Sequence, residues 1–203
     1  MPARVRTRVL LFAALVLALA AGTGALIYAT RPGGGEGSAL IGGAYSLVDQ
    51  DGRTITDRTF DGRLKLVLFG FTHCPDVCPT GLAAVTAARD LLGDKAGEVQ
   101  PIFVSVDPER DTSRVLKDYL ASFPGVVGLT GSPAAVADAA RAYRVYAAKV
   151  SSDGGAVAPG ETDYVVDHTA LIYLMGRNGE YLGFFKIGAA PDEIAAALRP
   201  LVD

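Results

Sequence analysis

Two cysteines, Cys74 and Cys78, and two histidines, His73 and His168, are all that 203 residues contain. That scarcity excludes a fold stapled by several disulfides. With no third cysteine and no third histidine, the usual structural zinc sets are also out of reach. Basic charge is scarce as well. Residues 1–32 hold four arginines and no acid, and the rest carries 15 Lys+Arg against 22 Asp+Glu, a net charge of −7. Nucleic acid and anionic membrane surfaces are poor partners for such a domain, whereas a basic protein is tolerated. No internal repeat is present.

Long apolar runs are missing except at one end. Residues 9–28 (VLLFAALVLALAAGTGALIY) pass 20 positions without a charge, the length that crosses a hydrocarbon core as a helix. Arg4, Arg6 and Arg8 precede the run and only Arg31 follows it, so the positive-inside bias leaves the N-terminus in the cytoplasm and exports the remainder. A cleaved signal peptide is the competing reading, with Ala18-Leu19-Ala20 as its small-x-small site; the run extends past the usual apolar length of such a segment. The organisation expected is an N-terminal membrane anchor at 1–30, a Gly-rich flexible tether at 31–41, and a folded domain at 42–203.

Within that domain, alternating apolar residues around Asp51-Gly52 predict a hairpin. Residues 64–71 (LKLVLFGF) read as a buried strand, and 79–96 as a helix with Pro79 near its start. A second buried strand is expected at 102–106. A helix follows from the Asp111-Thr112-Ser113 cap through Phe123, then a short strand at 126–129 and a helix from Ser132-Pro133 to about Tyr146. Residues 151–161 read as a loop. A hairpin at 169–175 and 181–185 turns at Asn178-Gly179, and a helix from Asp192 closes the chain. Strand–helix–strand alternation implies a parallel core, and the last hairpin adds an antiparallel edge. The class is α/β, a thioredoxin-like layout of mixed sheet and flanking helices with an added N-terminal hairpin.

The cysteines sit in GFTHCPDVCP, between the first buried strand and a helix N-terminus, where sites form in open α/β sheets. Helix-terminal amides and the helix dipole are expected to lower both thiol pKa values. At a spacing of four, the sulfurs are expected on one face of a helical turn. A disulfide closing so small a loop restrains little of the unfolded chain, so the pair reads as chemistry. Two thiolates suit a soft cation such as Cu(I), and one imidazole completes a trigonal S,S,N set able to hold Cu(II). His168, just before the apolar run TALIYLM, is the candidate third ligand. His73 is either a tuning group or alternate ligand beside Cys74, or a surface ring.

Three blocks, GFTHCPDVCP, SVDPERDT and DYVVDHTALIYLMGRNGE, resemble the signatures of the Sco/SenC family of copper proteins of mitochondrial inner and bacterial cytoplasmic membranes. The resemblance implies copper ligation by Cys74, Cys78 and His168, and a D-x-x-x-D block at Asp107 and Asp111 that shapes the loop near the metal. Asp111 also reads as a plain helix cap, and Asp76 as a charge that tunes the sulfurs. The implied function is copper delivery to the dinuclear centre of cytochrome c oxidase subunit II, or to another copper acceptor. Other periplasmic copper chaperones are possible partners. The implied location is the bacterial inner membrane, single-pass, with the domain on the periplasmic side. A thiol–disulfide oxidoreductase that keeps the oxidase's ligand cysteines reduced is the alternative, and the dithiol could itself be oxidised after releasing copper. A peroxiredoxin-like role lacks the needed proline before Cys74, and a copper-sensing role remains open.

Overall fold

Asp49 shows how the first hairpin closes. In the computed structural model, which describes residues 41–151, 155, 157–158 and 161–202, β1 (Ser46–Asp49) pairs antiparallel with β2 (Thr54–Thr56). The buried Asp49 carboxylate accepts the amides of Asp51 and Arg53 at 2.9 and 2.8 Å, and Gly52 takes the left-handed φ of +82° that the turn requires. β3 (Leu64–Gly70) is buried at every position and leads into the cysteine segment. α1 (Val77–Asp90) follows, with Pro79 in its first turn, where a missing N–H costs nothing. The helix expected to reach residue 96 stops at Leu91. Gly93, at φ +56°, turns the chain out of it into a 3₁₀ segment, Gly93–Glu98.

β4 (Val99–Ser105) runs parallel to β3 in unbroken register from Leu64↔Val99 to Gly70↔Ser105. α2 (Ser113–Leu120) is capped by the Thr112 hydroxyl, which accepts the Val115 amide at 3.3 Å, and ends three residues earlier than expected. β5 (Val127–Thr130) follows, then α3 (Pro133–Ala142), whose N-cap is Ser132 as anticipated. That helix stops well short of Tyr146, because Arg144 adopts φ +57° and turns the chain back. β6 (Ala147–Ser151) and β7 (Tyr164–His168) then form an antiparallel ribbon where the sequence predicts no strand; of its residues only Ser151 falls in the loop expected at 151–161. β8 (Leu171–Met175), β9 (Tyr181–Lys186) and α4 (Pro191–Val202) complete the domain.

The main sheet has seven strands in the order β2-β1-β5-β4-β3-β8-β9, parallel through β5-β4-β3 and antiparallel outside. This is the thioredoxin-like arrangement expected. Strand alternation sorts the core. Leu64, Leu66 and Leu68 face α1, α2 and α4, while Val67 and Phe69 face α3. Each such buried side chain contributes about 1.5–3 kcal/mol. Lys65, on the same strand, is buried among them but spans to the edge, where its ammonium donates to the carbonyls of Gly176 and Arg177 at 3.3 Å. No helix among the described residues is long and apolar enough to cross a membrane. The anchor expected at 1–30 and nearly all of the tether lie outside the described residues.

Candidate metal centre

β3 ends at Gly70, and the chain reaches Cys74 through a turn closed by the Cys74 amide on the Phe71 carbonyl at 3.2 Å. Cys74 therefore precedes α1, and Cys78 lies in its first turn. The expectation of two sulfurs on one helical face is corrected, yet they still converge. Asp76 stands at the N-cap without capping: its carboxylate accepts the Thr80 hydroxyl at 3.4 Å. The Cys78 amide donates instead to the Cys74 sulfur at 3.4 Å, so a thiol fills a cap acceptor's place. Gly70 is what lets Cys78 in. A Cβ there would lie 2.6 Å from the Cys78 sulfur and 2.7 Å from the Phe103 ring.

Both cysteines are buried free thiols. The expectation that both ionise easily is overturned for Cys78. Burial pushes its thiol pKa well up, and the hydrogen bond and charge of Cys74 add to that. The helix terminus does not outweigh desolvation here, because the sulfur lies inside the core. A bound cation takes the proton's place and removes that penalty.

His168 ends β7, half-buried, with Nε2 3.9 Å from the Cys78 sulfur. Its Nδ1 lies 3.0 Å from the Val166 carbonyl, which can only accept. Nδ1 therefore carries the proton in the neutral ring, and Nε2 keeps a lone pair on the sulfur side. The Phe71 ring packs edge-on against the imidazole at 5.7 Å.

Asp107 and Asp111 of SVDPERDT are both fully buried. Asp111 is no helix cap; Thr112 does that work. Its carboxylate accepts the Thr72 amide at 3.0 Å and the hydroxyls of Thr72 and Ser105 at 2.6 Å each. It thus ties the cysteine loop to the end of β4. Burial holds its pKa above the usual carboxylate range, against the pull of those hydrogen bonds. Asp107 reaches the other way. It accepts the Tyr164 hydroxyl at 2.7 Å and the Arg110 guanidinium, and so meets the start of β7.

His73 is exposed, its Nδ1 3.2 Å from the Thr72 hydroxyl, so it belongs to the rim. Tyr119 has a buried hydroxyl with no partner among the described residues; burial first, then the nearby thiols, oppose its ionisation. Among the described residues no three His, Cys, Asp or Glu side chains stand close enough to be a finished metal set. Cys78 and His168 meet, and Cys74 joins through the Cys78 amide. Thr72, Ser105, Arg110 and Tyr164 were not singled out from the sequence. The hydroxyl of Ser105, ending a buried and largely apolar strand, is the one local signal in the sequence.

A model of the family described as SCO1/SenC matches residues 34–203. The mitochondrial SCO1 homolog of Homo sapiens is 41% identical over 165 residues, 80% of this chain and 53% of its own length. The SenC protein of Rhodobacter capsulatus is 38% identical over 86% of this chain and 76% of its own length. Bradyrhizobium japonicum ScoI, solved with copper bound, aligns at a TM-score of 0.71 and 45% identity, over 80% of this chain and 99% of that one. The chain spans about half the length of the Arabidopsis thaliana and human relatives, 46% and 53%. A match that takes in both cysteines, the acid pair and the remote histidine, with relatives this similar over 80% and 86% of the chain, makes the chain a member of the SCO1/SenC family.

Proposed function

We propose that this protein is a copper carrier that holds the ion through Cys74, Cys78 and His168 and passes it on during assembly of the dinuclear copper centre of cytochrome c oxidase. The observation that carries this is the 3.9 Å approach of the His168 Nε2 to the Cys78 sulfur across 90 residues of sequence. Copper bound to ScoI of Bradyrhizobium japonicum, 45% identical, supports the choice of metal. Two sulfurs and one imidazole suit copper in both oxidation states.

The chemistry divides between the arms. The sulfurs, almost wholly buried, supply soft donors in a dry setting. The half-buried imidazole supplies a borderline donor on the solvent side. Three protein ligands leave one flank open for an incoming thiolate or imidazole of the acceptor, so the ion can be handed over by ligand exchange. The acceptor in this reading is subunit II of the oxidase. Residues 1–30 as an inner-membrane anchor and 31–41 as a tether would keep the domain on the periplasmic side, beside that target.

Titration of the purified chain with Cu(I) and Cu(II) tests the reading. Stoichiometric binding and a thiolate-to-copper charge-transfer band are expected in the wild type, and neither in Cys74→Ala/Cys78→Ala. Undiminished stoichiometric binding by that double variant overturns the proposal.

The free dithiol also favours a second reading, reduction of a partner's disulfide. Burial of Cys78 and its raised pKa weigh against it, since exchange needs a reachable thiolate. His168 separates the two. Loss of oxidase assembly in His168→Ala with unchanged dithiol redox behaviour selects copper transfer.

A further inference from the structure

The ribbon that carries His168 stands outside the seven-stranded sheet, so ladder hydrogen bonds do not set its distance from the cysteines. Where the ribbon meets β8, a reciprocal clasp holds it: the Tyr146 amide donates to the Thr169 hydroxyl and the Thr169 amide to the Tyr146 carbonyl, both at 3.0 Å. Along its inner face Tyr164 and Val166 bury in the cluster that contains Phe71, Cys74 and Cys78. At its far end the acidic loop holds it through Arg110, through the Tyr164 hydroxyl on Asp107 and through the Lys149–Glu109 ion pair.

The Arg110 Nε donates to Asp107, and its Nη1 donates to the main-chain carbonyls of Tyr164 at 2.9 Å and Thr162 at 3.3 Å. Its Cζ lies 3.7 Å from the centroid of the Tyr164 ring, within cation–π range. The Tyr164 hydroxyl returns to the second oxygen of Asp107 at 2.7 Å, which closes a ring of three side chains. On its other side the same guanidinium lies 6.0 Å from the Phe71 centroid, and Phe71 packs edge-on against His168. Arg110 therefore touches the acidic loop, the ribbon entry and the aromatic that shoulders the imidazole. Only 17% of its side chain is exposed, and its Nη2 is buried without a hydrogen-bond partner among the described residues. An arginine that only balanced the charge of Asp107 would not need to sit so deep.

We propose that Arg110 is a positioning residue of the metal centre: it latches the β6–β7 ribbon to the acidic loop and thereby sets His168 against Cys78. The proposal rests on the copper-carrier reading. Lysine cannot replace it, because one ammonium cannot reach a carboxylate and two carbonyls while stacking on a ring. Lys149, on the Tyr164 ring at 4.6 Å and paired with Glu109 at 2.6 Å, is a second tie between ribbon and loop, so the control is Arg58, exposed and paired with Asp61.

The test uses the full chain in detergent, with Cu(I) affinity read by chelator competition and the Cu(II) site read by imidazole-nitrogen hyperfine coupling. Arg110→Met is expected to lower copper affinity by about 10- to 100-fold, the usual effect of losing an outer-shell partner. It should weaken the nitrogen coupling while the thiolate charge-transfer band persists. Arg110→Lys should recover little of the loss, and Arg58→Met should stay at the wild-type value. In a His168→Ala background, Arg110→Met should cost nothing further. Wild-type affinity and coupling in Arg110→Met overturn the proposal, and so does an equal loss with His168 already gone. If Arg110→Met does not fold, Arg110→Lys enters the same comparison and the same two results decide. Copper retained by Cys74→Ala/Cys78→Ala would instead bring down the carrier reading, whatever Arg110 does.

Discussion

Cys78 lies in the first turn of the helix that follows β3, a strand paired on both sides in the middle of the sheet, with β4 on one flank and β8 on the other. His168 ends a ribbon whose described ladder pairing joins only its own two strands. The cysteine arm is short, local and fixed by backbone continuity with a core strand. The histidine arm is remote in sequence and held by side-chain contacts. One half of the centre is therefore built into the sheet, and the other is brought to it. Between them lies the acidic loop, with Asp111 turned to the cysteine side and Asp107 to the ribbon.

This contrast predicts which arm each substitution disturbs. Asp111→Ala strands the Thr72 amide and the Thr72 and Ser105 hydroxyls, all now satisfied by one carboxylate. Buried unpaired groups cost about 1–3 kcal/mol each, so a loss of about 3 kcal/mol or more is expected in urea unfolding, with weaker copper binding. Gly70→Ala is next. A methyl 2.6 Å from the Cys78 sulfur overpacks the cysteine arm alone, at about 1–3 kcal/mol. The thiolate–copper band should shift while the imidazole coupling holds.

Thr169→Val acts on the other arm. It removes the acceptor of the Tyr146 amide at an exposed position, for about 1 kcal/mol or less. Faster amide exchange is expected in β6 and β7, with β3 and β4 unchanged. The smallest effect is a slope with pH. The folded-state pKa of Asp111 is raised above its ordinary 3.8. Its contribution is therefore fully present below that value and is lost as pH rises through the raised one. Asp111→Asn should gain stability relative to wild type as pH climbs through that window, read as the difference between two urea series.

What the sequence made legible divides along the same line. The largely apolar runs of β3 and β4, the Asp51-Gly52 turn and the Ser132-Pro133 helix start are local patterns and sit where expected, save that β4 begins at Val99, three residues before the strand expected at 102–106. The ribbon was missed because neither AAKVS nor YVVDH alternates cleanly and their pairing bridges a polar stretch. Asp111 reads as a cap because it adjoins a helix start; its partners in the fold include Thr72, 39 residues away. The high pKa of Cys78 was invisible, because strand-then-helix position suggests a stabilised thiolate, and only the fold reveals that Gly70 seats the sulfur inside. Arg110 lay within a block already singled out, but its role depends on Tyr164, 54 residues on.

The separation of 90 residues between Cys78 and His168 also imposes an order in time. Both sulfurs precede the imidazole along the chain, so the cysteine arm is made first, and the imidazole follows only with the last residue of β7. A chain made only as far as β6 can therefore offer two thiols but not the full donor set, so closure of the centre requires the β6–β7 ribbon.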